Sequence, residues 1–326
     1  MLSSSPELWK SIMRQNFTQW EKLSDFLELD ALKREFIHKT PHFPLNLPYR
    51  LAAKIAKNTL DDPILKQFLP TLAELKTSPG FILDPVQDAQ FRKAPKLLHK
   101  YQGRALLVCT SACAMHCRFC FRQNFAYETQ AKGFEKELEQ IAEDASLQEI
   151  ILSGGDPLSL SNHTLKHLMD SLSQLKHIRR LRFHTRFPIG IPERIDEGFL
   201  SLFENRPFRS WFVLHINHPK ELDQDVFTHL DALQRQGVML LNQWVLLKEV
   251  NDSPAVLKEL CELLVNHGIF PYYLHQLDRV QGGAHFEVSV ERGKELIEEI
   301  AKSLPGYAVP KYVREIAGEA NKTPLF

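Results

Sequence analysis

Cysteines at 113, 117 and 120 stand in a C-x-x-x-C-x-x-C pattern directly after an apolar run at 105–108. Three thiolates can hold three irons of a cubane cluster and leave the fourth iron without a protein ligand. Such an iron can chelate an amino and a carboxylate group and pass an electron to the molecule that carries them. Iron–sulfur clusters are normally closed by four cysteines, so a compact trio implies a reactive site rather than an electron relay. Zinc is the plainer alternative, but structural zinc takes four closed ligands, commonly as two separated pairs. The two other cysteines make poor fourth ligands, since Cys109 falls in a strand-like run and Cys261 in a helix-like one.

Such a loop needs a frame. Short apolar runs recur at 105–108, 149–152, 181–184, 212–216, 239–246 and 272–277, with a further strand candidate at 308–316. Between them lie amphipathic stretches of helical length at 135–144, 165–175, 219–236, 255–266 and 290–303. Strands alternating with helices in this way predict βαβ units around a parallel sheet, and six such units make most of a barrel. In parallel barrels chemistry gathers at the C-terminal strand ends. Polar residues fall there: the cysteine loop, Ser153-Gly-Gly-Asp156, His184-Thr-Arg186, His215-Ile-Asn217 and Asp278. The fold class expected is α/β, a partial (βα)6-type barrel preceded by a helical region. The turn signal at 77–81 sets the boundary. It gives an N-terminal helical region at 1–80, the barrel at 81–303 and a C-terminal strand segment at 304–326. The first region offers helical spacing at 7–15, 19–27 and 49–57, interrupted by prolines.

Composition narrows the setting. Forty basic residues balance forty acidic ones across 326 residues, which gives no electrostatic case for nucleic acid or an anionic membrane. Five cysteines, three of them clustered, do not form a disulfide framework and point to a reducing compartment. Residues 1–7 lack the basic and apolar regions of a secretory leader, and no apolar run approaches the roughly 20 residues of a membrane span. A cytoplasmic enzyme is expected. His163 and His167 lie one helical turn apart but lack a third ligand, so an exposed helix face is expected. The acidic run at 135–143 reads as an exposed face too.

The string Cys113-Ala-Met-His-Cys-Arg-Phe-Cys-Phe-Arg122 resembles the radical S-adenosylmethionine superfamily. More narrowly, the chain is similar to the lysine 2,3-aminomutase family. The further blocks are Lys100-Tyr-x-x-Arg104, Gly154-Gly-Asp-Pro-Leu158, Arg182-x-His-Thr-Arg-x-Pro188, His215-x-Asn-His-Pro219, Asn242-Gln-x-Val-Leu-Leu247 and Val250-Asn-Asp252. The match covers about 80–326 and looks most like the short bacterial branch that makes β-lysine for modifying elongation factor P.

The resemblance implies a radical S-adenosylmethionine barrel, a [4Fe-4S] cluster on Cys113, Cys117 and Cys120, S-adenosylmethionine and pyridoxal 5′-phosphate. It places Gly154, Gly155, Asp156, Thr185, His215 and Asn217 around S-adenosylmethionine. Lys322 would be the catalytic lysine that carries pyridoxal phosphate, with Arg104 at its phosphate and Gln243 helping to anchor it. Arg122 would take the substrate carboxylate, while Asp278 and Glu315 would take the ε-ammonium of L-lysine. Two acids facing one cation favour lysine over glutamate. The implied partners are L-lysine, an electron donor such as flavodoxin or ferredoxin, and elongation factor P with its lysine ligase. Two features depart from the family pattern: Glu315 stands for an aspartate, and Gly318-Glu-Ala-Asn321 replaces a run of glycines before Lys322. The alternatives are an aminomutase for another amino acid and a non-catalytic iron–sulfur or zinc-binding module.

Overall fold

A computed structural model of the chain describes residues 7–128, 130 and 133–326, so the first six residues of the leader reading lie outside it. The strands form one ten-stranded sheet in chain order: β1 (Arg92–Ala94), β2 (Leu97–Tyr101), β3 (Arg104–Thr110), β4 (Glu149–Gly154), β5 (Arg180–Thr185), β6 (Arg209–Leu214), β7 (Met239–Val245), β8 (Phe270–His275), β9 (Lys311–Arg314) and β10 (Thr323–Pro324). β3 to β9 pair in parallel, which gives the barrel frame expected from the alternating pattern. An antiparallel β1–β2 hairpin precedes them and β10 returns antiparallel on β9; neither is foreshadowed by a long apolar run.

Helices α1 (Leu8–Met13), α2 (Trp20–Phe26), α3 (Ala31–Arg34), α4 (Tyr49–Ala52) and α5 (Pro63–Phe68) make up the N-terminal region. They are shorter than the periodicity predicts. The barrel helices are α6 (Glu135–Glu143), α7 (Asn162–Ser173), α8 (Phe187–Gly190), α9 (Glu197–Leu200), α10 (Gln224–Arg235), α11 (Pro254–Asn266) and α12 (Val290–Ala301). Five of them start at a side-chain cap: Ser161, Asp196, Asp223, Ser253 and Ser289 each accept a backbone N–H three residues on. A cap of this kind stabilises a helix start by about 1 kcal/mol.

Each long helix buries one stripe at i, i+3, i+4 and i+7, such as Leu165, Leu168, Met169 and Leu172 on α7. The outer sheet face meets these stripes with Ile150, Leu152, Leu181, Phe183, Phe212 and Leu214, all buried. Phe183 and Phe212 are register partners with rings stacked 4.7 Å apart. Residues from α1 to β9 join this one core. On α6 the acidic face is exposed except Glu137, which is buried and accepts from Lys96 N at 2.9 Å. His163 and His167 are exposed on α7. Among the described residues no helix is long and apolar enough to cross a membrane.

Strand alternation leaves the other face for polar groups. Arg182 and His184 on β5, Trp211 on β6 with His215 just beyond it, Gln243 on β7 and Tyr273 on β8 are only partly buried beside fully buried neighbours. The sheet therefore wraps a polar interior, unlike barrels filled by branched aliphatics.

Candidate active site

The cysteine loop leaves β3 and is tied down from two sides. Gly155 N donates to Thr110 O and Asp156 N to Ala112 O, both at 2.7 Å. Gly154 has φ +118°, and a Cβ there would lie 2.6 Å from Thr110 O; one on Gly155 would lie 2.2 Å from Ala112 O. The two glycines therefore let the β4 turn lie against the cysteine loop backbone. From the other side the N-terminal region holds the loop: His116 N donates to Asn46 O and Arg118 N to Gln67 O, both at 2.9 Å. Asn16 Nδ2 reaches Ala114 O at 2.7 Å, and Asn46 Nδ2 reaches Cys113 O at 3.3 Å. The buried Arg118 guanidinium spans Glu74 and Phe43 O.

Cys113, Cys117 and Cys120 are all free and partly buried. Burial raises all three thiol pKa values, Cys113 well above the ordinary value and Cys120 to about 11. Charge on a neighbouring thiol raises Cys113 and Cys120 further, so the sulfurs lie within electrostatic reach of one another. Among the described residues no three His, Cys, Asp or Glu side chains could hold a single metal ion. Three thiols on one loop, each within electrostatic reach of another, suit a multi-atom iron–sulfur cluster.

Asp156 is buried and accepts from Thr185 Oγ1 at 2.8 and 2.9 Å and from the backbone of Leu158, Arg186 and Phe187 at 2.8 to 3.0 Å. Burial raises its pKa, while the Thr185 and backbone hydrogen bonds oppose that shift. Thr185 also accepts from Phe187 N at 3.0 Å. Asn217 is likewise matched, donating to Gln67 Oε1 at 2.9 Å and accepting from Val245 N at 3.0 Å. These three side chains brace the strand ends.

The interior differs. His184 Nε2, His215 Nε2, His275 Nε2 and Gln243 Oε1 are buried without any hydrogen-bond partner among the described residues. His215 stacks on Phe119 of the cysteine loop at 5.6 Å. Burial, followed by nearby cations, drives the three imidazole pKa values well below 6.5 and keeps the rings neutral; Lys322 is among the cations acting on His184 and His275. Unmatched buried polar atoms are costly, so four around one space mark a ligand site.

Lys322 lies at a seam. β1 and β10 are the unpaired sheet edges, and side chains bridge the gap between them. Tyr101 Oη donates to Glu315 Oε1 at 2.6 Å, Lys100 Nζ to the same oxygen at 3.1 Å and Arg104 Nη2 to Asn321 Oδ1 at 3.2 Å. Lys322 Nζ donates to Glu315 Oε2 at 3.0 Å. Burial opposes ionisation of Glu315, but Lys322, Tyr101 and Lys100 outweigh it and hold the carboxyl at about 2. A bridge between Ile82 and Val280 carries the preceding chain across this side and delivers Asp88. Asp88 accepts from Arg122 at 2.9 and 2.8 Å and pairs with Lys100 at 3.2 Å, while Arg122 Nη1 donates to Ser153 Oγ at 3.2 Å. Charge contacts thus run unbroken from Arg122 through Asp88, Lys100 and Glu315 to Lys322. Asp278 stands beside this chain with no hydrogen bond or ion pair to its carboxylate among the described residues. Burial lifts it to about 7, against the pull of Lys322.

Sequence reasoning did not single out Asp88, Lys100, Tyr101, Arg182 or His275 as site residues. Arg182 shares the interior face with Arg104, pairs with Glu149 at 3.1 Å and acts with Arg104 on Tyr273. Strand alternation alone would have flagged Arg182 and His184; Asp88 carries no local signal.

Comparison with known proteins gives the same direction. A family model described as a 4Fe-4S single cluster domain matches residues 102–183. The chain is 40% identical to L-lysine 2,3-aminomutase of Escherichia coli (strain K12), covering 98% of this chain and 95% of that one. It is 41% identical to the enzyme of that name from Haemophilus influenzae, over 86% and 84% of the two chains. The one from Clostridium subterminale is 31% identical over 100% of this chain and 82% of its own. With such identity along nearly its whole length, the chain belongs to the L-lysine 2,3-aminomutase family.

Proposed function

We propose that this chain converts L-α-lysine to β-lysine by moving the amino group from C2 to C3. The observation that carries the proposal is the unbroken charge chain from Arg122 to Lys322, which joins the cysteine loop to the seam beside an interior lined by unmatched polar atoms. When bound, a [4Fe-4S] cluster with S-adenosylmethionine supplies one-electron chemistry at carbon, and pyridoxal 5′-phosphate supplies a π-system across which nitrogen can move.

The residues divide the remaining work. Cys113, Cys117 and Cys120 would hold the cluster, with room left on it for the amino and carboxylate groups of S-adenosylmethionine. The backbone at Gly154 and Gly155 and the unmatched Nε2 of His215 would face that molecule, while Asp156, Thr185 and Asn217 keep the strand ends in place. Lys322 would carry pyridoxal phosphate. Arg104, together with Arg182, would offer its positive charge to the phosphate, and Gln243 would help anchor the cofactor. Arg122, oriented by Asp88 and Ser153, receives the substrate carboxylate as a planar two-pronged donor. Asp278 receives the ε-ammonium. Glu315 holds the Lys322 amine at the seam and adds a second negative charge for the substrate cation. A γ-carboxylate in that place would meet two acids, which selects lysine over glutamate.

β-Lysine of this origin suits attachment to elongation factor P by a lysine ligase, and a flavodoxin- or ferredoxin-type protein suits the electron supply. A cytoplasmic setting accords with five free cysteines. The test is anaerobic incubation of reconstituted protein with L-lysine, S-adenosylmethionine, pyridoxal phosphate and a strong reductant. β-Lysine is expected, with glutamate and arginine left unchanged. Full iron and pyridoxal content without β-lysine would overturn the proposal.

A further inference from the structure

Arg186 follows Thr185 at the end of β5 and is only 6% exposed. Its Nη1 donates to Cys117 Sγ at 2.8 Å. Its Nη2 donates to Gln67 Oε1 at 2.6 Å and to Glu221 Oε2 at 2.8 Å. Both of these acceptors are fully buried and fixed by others. Glu221 Oε1 takes Gln67 Nε2 at 3.1 Å and the backbone N–H of Asn217 and His218 at 3.1 and 3.0 Å. Gln67 Oε1 also takes Asn217 Nδ2 at 2.9 Å. The Phe68 ring lies 4.8 Å from the guanidinium and Phe119 5.9 Å from it. The cation therefore cannot swing away from the sulfur. A buried ion pair by itself contributes little net stability, so the Arg186–Glu221 pair is poorly explained as a fold stabiliser. Its position against a cluster-ligand cysteine gives it a different use.

We infer that Arg186 is a positioning and tuning residue for the iron–sulfur cluster. Its guanidinium donates to the Cys117 ligand sulfur and sets a fixed positive charge beside it, which raises the cluster's reduction potential. The inference rests on the cluster reading of the cysteine loop. One electron arrives from a low-potential donor, and no bond is made or broken. The reduced cluster carries one more negative charge than the oxidised one. A cation in a low-dielectric site favours the reduced form, and hydrogen bonds to cluster sulfurs act in the same direction. Glu221 keeps the guanidinium affordable in the interior while leaving Nη1 aimed at sulfur. Gln67 lies on α5, so the N-terminal region enters the electronic environment of the cluster as well as the packing of its loop.

The experiment is a redox titration followed by electron paramagnetic resonance on reconstituted protein without S-adenosylmethionine. Wild type is compared with Arg186→Gln and Arg186→Lys, with iron and sulfide counted for each. Arg186→Gln is expected to lower the midpoint by about 59 mV, a tenfold fall in the reduced-to-oxidised ratio for one electron, with Arg186→Lys between the two. An unchanged midpoint at full cluster content overturns the inference. A second measurement needs no variant: with arginine labelled by nitrogen-15 in the guanidinium, pulsed resonance of the reduced wild-type cluster is expected to show a weak nitrogen coupling. Absence of that coupling also overturns the inference. A wild-type chain that takes up no iron would break the cluster reading first, and this inference with it.

Discussion

Around the cysteine loop, Asp156 accepts from one hydroxyl and three backbone N–H groups, and Thr185 and Asn217 are equally well matched. In the interior, His184, His215, Gln243 and His275 bury polar atoms that find no hydrogen-bond partner among the described residues. Both sets sit on strands or strand ends of one sheet. The difference teaches that Asp156, Thr185 and Asn217 are satisfied by the protein itself, whereas the interior side chains leave polar atoms for a ligand. Motif residues near the cysteines thus divide into builders and receivers, a division that spacing cannot make.

The comparison can be broken in several ways. The largest effect is expected from Cys113→Ala, whose sulfur, unlike that of Cys117, accepts no hydrogen bond among the described residues: reconstituted iron and sulfide fall to background and turnover is lost, yet the metal-free variant unfolds at nearly the same denaturant concentration as metal-free wild type. A large stability loss in that variant would mean the loop is not complete without its ligand. Lys322→Ala is expected to abolish turnover and pyridoxal absorbance while iron content stays at the wild-type value; absorbance that persists would remove Lys322 from its role.

Next in size is a pair that puts the builders against the receivers. Asp156→Ala leaves several buried donors unmatched and should cost about 3 kcal/mol of stability in the metal-free protein. His275→Leu removes an unmatched atom and should leave stability within about 1 kcal/mol or raise it, while weakening pyridoxal phosphate uptake. Equal losses from both, measured by chemical denaturation, would erase the distinction.

The smallest effect is a pH dependence. Asp278, raised to about 7 by burial, must ionise to receive an ammonium. Lysine affinity measured by calorimetry should therefore rise about tenfold from pH 6 to pH 8, with proton release near neutrality. Stability runs the other way. Folded Asp278 keeps a proton that the unfolded chain sheds near 3.8, so its contribution declines as pH rises from about 4 to 7. Glu315, held at about 2 against 4.5 when unfolded, adds stability above pH 4.5 that is lost as pH falls toward 2. A flat affinity profile would remove Asp278 from cation binding.

The frame of the molecule was legible because its signals are local. Short apolar runs marked the parallel strands, and amphipathic stretches such as those of α7 and α11 marked the helices around them. The β1–β2 hairpin and β10 escaped because two- to five-residue strands carry too little pattern, and their pairing depends on partners brought by folding. The site was legible where a motif is contiguous, as at 113–122. It was not where meaning arises from distance in sequence. Asp88 and Arg122 are 34 residues apart, Arg186 and Gln67 119, and Lys100 and Glu315 215. Glu315 read as a substrate acid on resemblance alone; its contacts with Tyr101, Lys100 and Lys322 appear only once both sheet edges meet. The N-terminal region gave no functional signal because its contribution runs through Asn16, Asn46, Gln67 and Glu74, ordinary polar residues until the cysteine loop is laid against them.

That arm has a consequence for how the protein ages. In many small metalloproteins the metal supplies the free energy of folding, and its loss unravels the chain. Here Asn16, Asn46, Gln67 and the Arg118–Glu74 pair grip the loop through bonds that owe nothing to iron. The expected consequence is that the scaffold keeps its shape when oxygen strips the inorganic core, so that iron and sulfide added back anaerobically restore full cluster content without refolding.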